Sequence, residues 1–135
     1  MDALDARVAH AVEEMHADLA LWLGTEAPPS VYQRIMHAQH PDFSMVGRDG
    51  DIVSREELGT ELTGAANALP GMTIDIEDLT ILASGGDVVV VRFTEIHRHS
   101  GTENRRRTTA TLTADVSVEE GLRWLAVHET AIATG

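Results

Sequence analysis

The sequence has no cysteine. Disulfides, thiolate metal sites and cysteine nucleophiles are therefore excluded. Basic residues are scarce: 10 Lys and Arg stand against 22 Asp and Glu, for a formal net charge of −12. Such a surface repels phosphate backbones and anionic headgroups, so nucleic acid and membrane are not expected partners. The chain also lacks an apolar run long enough to span a bilayer, and its first residues carry neither a basic nor an apolar leader segment. These absences lead us to expect a cytoplasmic protein. No internal repeat of solenoid length is present, and 135 residues suit one domain, 1–135, with a real core.

What is present reads as helices followed by strands. Leu4, Val8, Val12, Met15, Leu19 and Trp22 recur at three- and four-residue steps, which predicts an amphipathic helix over 3–23 ending at Gly24. Pro28-Pro29 opens a shorter helix with Val31, Tyr32, Ile35 and Met36, which must stop before Pro41. Residues 43–53 suggest a small hairpin turning at Asp49-Gly50. Ser54-Arg-Glu-Glu57 is a capping box opening a third helix.

From Met72 onward the pattern is that of strands. Ile74 and Ile76 share one parity while Leu79 and Ile81 share the other, so a bulge is expected near Asp78. Val88–Val91 is apolar at both parities, which suits a central strand or one covered by helices on one face and by a partner on the other. Turns at Gly85-Gly86, at Gly101 and around 117–121 separate four long strands. The expected fold is α+β: a bent, cone-shaped antiparallel sheet wrapped over N-terminal helices.

The hairpin His40-Pro-Asp-Phe-Ser-Met-Val-Gly-Arg-Asp-Gly50, the helix start Ser54-Arg-Glu-Glu-Leu58, the strand 85–92 and the closing Arg-Trp-Leu-Ala-Val-His128 carry a resemblance. Over nearly its whole length the chain resembles the nuclear transport factor 2-like, or SnoaL-like, superfamily, whose members have a cystatin-like fold. That superfamily includes ketosteroid isomerases and the kinase II association domain. Within it the likeness is closest to small bacterial domains of unassigned function. The resemblance implies a homodimer with a pocket between the first helix and the concave sheet face. It implies no single activity, because this fold hosts enzymes and binding modules alike.

By parity and by resemblance, Arg92, Thr94, Trp124, Ala126 and His128 are expected to point into the cone. Met15, Tyr32 and Phe43 would complete a mostly apolar wall. A one-residue slip would instead bring Phe93, Glu95 and Glu129 inside. The first expectation is a site for a small apolar or weakly anionic molecule with Arg92 and His128 as polar anchors, and no cofactor is called for. The family's epoxide hydrolases use an arginine flanked by two aspartates. Arg92 matches the arginine, but Thr94 and Ala126 stand where acids would be needed. An isomerase, dehydratase or cyclase is the alternative, with His128 as acid or base, His16 beside it and Arg92 stabilising charge. A third reading is a homodimeric association module.

Other motifs are weaker. His97-x-His99 and His37-x-x-His40 lack a third ligand in sequence and read as solvated surface, so no metal site is expected. Arg105–Arg107 lies within a strand, where alternation splits it between faces.

Overall fold

The computed structural model describes residues 3–118 and 121–133. Three helices, α1 (Ala3–Gly24), α2 (Pro29–His37) and α3 (Arg55–Gly64), pack on a six-stranded sheet. Its strands are β1 (Gln39–Val46), β2 (Ile52–Ser54), β3 (Thr73–Gly85), β4 (Val88–His99), β5 (Thr102–Ala114) and β6 (Leu122–Ala131), in the spatial order β2-β1-β6-β5-β4-β3. The expected hairpins β1–β2, β3–β4, β4–β5 and β5–β6 are all antiparallel. One pairing departs from the antiparallel expectation. β1 runs parallel to β6, so the sheet is mixed and β6 lies inside it.

The apolar stripe of α1 forms one side of the core. Val8 and Val12 are fully buried and Met15 nearly so, against Val89, Val91, Phe93, Ala110, Leu112 and Trp124 of the sheet. At α3 the capping box is complete: the Glu57 amide donates to Ser54 Oγ at 3.1 Å, and the Ser54 amide donates to Glu57 Oε1 at 3.2 Å. Two backbone donors at a helix start are thereby satisfied.

Gly24 has a different role from the expected cap. It does not adopt positive φ, and a Cβ there would stand 3.0 Å from both the N and the O of Met72. The glycine is required by this close backbone approach, where Gly71 N donates to Gly24 O at 2.9 Å.

The β3 bulge falls where the parity slip predicts it. Glu77 pairs with Thr94 and Thr80 with Arg92, so Asp78 and Leu79 together face one β4 residue. Asp78 takes φ 57° to make the bend. β3 slips again at Leu82, and a further irregularity, on β6, has no counterpart in the sequence pattern. Leu112 pairs with Trp124 but Thr111 pairs with Ala126, leaving Leu125 as the extra residue. Of the loop expected at 117–121, residues 119 and 120 lie outside the described residues. No helix among the described residues is long and apolar enough to cross a membrane.

Candidate functional site

The unbroken register of β4 and the bulge on β6 decide which of their side chains face α1. On β4 the inward series is Val89, Val91, Phe93, Glu95 and His97, all buried. Arg92 and Thr94 consequently lie on the opposite, convex face. On β6 the extra residue at Leu125 reverses parity part-way along. Trp124 points inward, and so do Val127 and Glu129, whereas His128 is exposed. The expected anchors Arg92 and His128 do share a face, each pairing with Thr109 from its own side, but it is the convex one. The one-residue slip weighed as an alternative is the arrangement found.

Of the other expected wall residues, Met15, Phe43 and Trp124 line a cavity of about 210 Å³ between α1 and the concave face. Tyr32 does not line it. Its hydroxyl donates to the Gly59 carbonyl at 3.2 Å and its ring leans on Trp22, so it braces α1 against α2 and α3. Most of the cavity wall is apolar, with Leu19, Leu23, Leu58, Leu62, Ile74 and Val127 contributing.

Its polar part is a cluster centred on Glu95, whose side chain is almost wholly buried. Glu95 Oε1 accepts from His97 Nε2 at 2.9 Å, and Oε2 accepts from Thr108 Oγ1 at 2.6 Å. His16 Nε2 lies 3.4 Å from Oε1. Burial alone would raise the Glu95 pKa. The hydrogen bonds from His16, His97 and Thr108 outweigh it and hold the carboxyl far below the usual range.

His16 is fixed at its other nitrogen. Nδ1 lies 2.7 Å from the Val12 carbonyl, which can only accept, so Nδ1 carries a proton. Burial opposes a charge on this ring, but the Glu95 hydrogen bond and charge prevail and its pKa is raised. Phe93 and Trp124 meet the ring edge-on, at centroid distances of 5.3 and 5.9 Å. His97 donates through Nε2 to Glu95, and its Nδ1 has no hydrogen-bond partner among the described residues.

A second carboxylate stands nearby. Burial and the charge of Glu95 raise the Glu129 pKa, against the pull of Arg106. Arg106 Nη1 donates to Glu129 at 3.2 Å and Nη2 to Asn104 at 2.9 Å, but its buried Nε has no partner. Gln39 Oε1, also in the cavity wall, is likewise buried without a partner.

Of the cluster, the sequence reading named His16 directly, and reached Glu95 and Glu129 only through the alternative parity. His97 reads there as solvated surface, and Arg106 as part of a basic run split between strand faces. The signal that could have found them is Phe93: an aromatic ring seeks burial, and Glu95 and His97 follow it at two-residue steps. Among the described residues no group of three histidine or acidic side chains is arranged to hold a metal.

A cone of this topology has many structural counterparts. A nuclear transport factor 2-like protein of unknown function from Pseudomonas aeruginosa superposes with a TM-score of 0.88 at 25% identity, covering 94% of this chain and 99% of that one. The chain has a nuclear transport factor 2-like fold. The same fold appears in the CaMKII hub of S. rosetta, with a TM-score of 0.74, 12% identity and coverage of 94% and 95%. It appears again in an uncharacterized cystatin-like protein from Caulobacter vibrioides, with a TM-score of 0.70, 13% identity and coverage of 96% and 89%. No family model matches the chain, and no curated protein does.

Proposed function

We propose that this domain binds a small, mostly apolar molecule in the cavity beneath α1. The observation that supports this is the pair of unsatisfied buried atoms in the cavity wall, the acceptor Gln39 Oε1 and the donor Arg106 Nε. In a filled apolar core each such atom would cost about 1–3 kcal/mol. A ligand carrying one donor and one acceptor relieves both. At about 210 Å³ the cavity falls below the roughly 300–1,000 Å³ usual for drug-sized ligands, so the occupant is small.

The test is native mass spectrometry of the purified protein, followed by a metabolite screen read by Trp124 fluorescence. A Leu58→Trp variant, which fills the cavity, should lose binding while keeping its unfolding cooperativity. Undiminished binding in that variant would defeat the reading.

A second reading, a proton-transferring enzyme of the isomerase or dehydratase kind, draws support from the Glu95–His97 pair. A carboxylate that fixes one imidazole nitrogen as donor leaves the other available as a base. His128 does not fill that role, being exposed on the convex face. Here His97→Gln should abolish turnover and leave ligand affinity within a few fold, whereas full turnover would exclude His97 as the base.

The homodimer expected from the resemblance is part of the same proposal. Val88 is 43% exposed and Val90 half-buried on the convex face, apolar surface that a second copy would cover. Sedimentation at micromolar concentration decides it, and a monomer would remove the association reading.

A further inference from the structure

We infer that the convex face carries a second site, separate from the cavity, that binds a small carboxylate-bearing molecule. The β3 bulge creates it. Because Asp78 and Leu79 crowd opposite a single β4 residue, a hollow of about 270 Å³ opens beside β4, lined by Asp78, Thr80, Arg92, Thr94 and Arg107.

Three features of that hollow need a partner. Thr94 is only 3% exposed, yet its hydroxyl has no hydrogen-bond partner. A buried hydroxyl left in this state is costly unless something enters to meet it. Arg92 and Arg107 flank it, Arg107 directly across the β4–β5 pairing from Thr94 and Arg92 two residues along the same strand face. Neither guanidinium meets an acid or any other hydrogen-bond partner among the described residues, although acids outnumber basic residues 22 to 10 in the chain. Arg98, Arg105 and Arg106 on these same two strands are each paired with a carboxylate.

Charge and shape narrow the ligand. Asp78 offsets one arginine, so the lining carries a net charge of +1, which suits a monoanion better than a phosphate dianion. A planar carboxylate can take two parallel N–H donors from one guanidinium while the Thr94 hydroxyl donates to its second lone pair. Arg92, which the sequence marked together with His128 as an anchor for a weakly anionic molecule, thus keeps that role on the other side of the sheet.

Sodium acetate, titrated against ¹⁵N-labelled protein at constant ionic strength with sodium chloride as the control, tests this. Saturable shifts are expected at the amides of Thr80, Arg92, Thr94 and Arg107, and not at His16 or His97. Arg92→Gln and Arg107→Gln should each weaken acetate about tenfold or more. Their urea midpoints should not move, since both side chains are exposed. Equal shifts with chloride, shifts confined to the cavity residues, or unchanged affinity in both variants would overturn the proposal. So would loss of a sedimenting dimer in Arg92→Gln without any acetate response, because the hollow would then be a contact between copies.

Discussion

Replacing Glu95 by glutamine removes one charge from the centre of the cavity and changes almost no volume. The carboxylate is met by Thr108 at 2.6 Å, His97 at 2.9 Å and His16 at 3.4 Å. An amide oxygen can keep one of these donors, and the others lose an ionic acceptor. Charge-assisted hydrogen bonds are roughly twice as strong as neutral ones, so we expect a loss of about 2–3 kcal/mol at pH 6. For a domain of this length that is a fall of about 7–11 °C in Tm.

The pH dependence is more diagnostic than the size. In the wild type, the depressed Glu95 carboxyl contributes stability that is present above the ordinary glutamate range and disappears only in strong acid. The raised His16 contributes fully below 6.5 and loses its contribution as pH rises through its folded value. The raised Glu129 acts in the same sense, contributing below 4.5 and fading as pH rises. Stability should therefore decline as pH rises above about 6.5. In Glu95→Gln the hydrogen bond and charge of Glu95 are gone, and burial, the largest influence on His16, is opposed only by the Val12 carbonyl and the charge of Glu129. The decline of stability with rising pH should then flatten or reverse in the variant. Urea unfolding at half-unit pH steps measures both curves. Parallel curves with a constant offset would refute the assignment of His16 as the partner of Glu95.

Three further outcomes follow from packing. Phe93→Ala, at the most buried ring in the core, should cost about 3–5 kcal/mol by chemical denaturation. Gly24→Ala should cost about 1–3 kcal/mol, because its methyl group meets the Met72 backbone at 3.0 Å and neither segment can yield freely. Ser54→Ala removes half of the capping box and should lower stability by about 1 kcal/mol, with amide exchange accelerating in the first turn of α3 before anywhere else.

The helices are legible in the sequence because their signals are local. A stripe at 3.6-residue spacing, a proline pair and Ser54 with Glu57 each act over a few residues. The β3 bulge is legible for the same reason, as a parity change within one strand. Strand orientation on β4 is not, because four successive valines satisfy either register and leave the choice to distant packing. The reversal at Leu125 is harder still. No glycine, proline or change in hydrophobicity marks it, and it exists only in relation to the β5 register. His128 and Arg92 therefore look inward on a regular strand and are not. The parallel β1–β6 pairing joins residues more than eighty positions apart, beyond any pattern of neighbours.

That pairing has a consequence for the order of assembly. β6 is synthesised after every strand it touches, yet it is the strip that joins β1 and β2 to the remainder of the sheet. Until it emerges, β3, β4 and β5 can zip together as local hairpins, while the β1–β2 hairpin has no strand to lie against and Trp124 has not yet closed over α1. The nascent chain must therefore hold an open sheet edge and an uncovered apolar groove until its last strand arrives. This places the slow, aggregation-exposed step at closure of the cone rather than at its start.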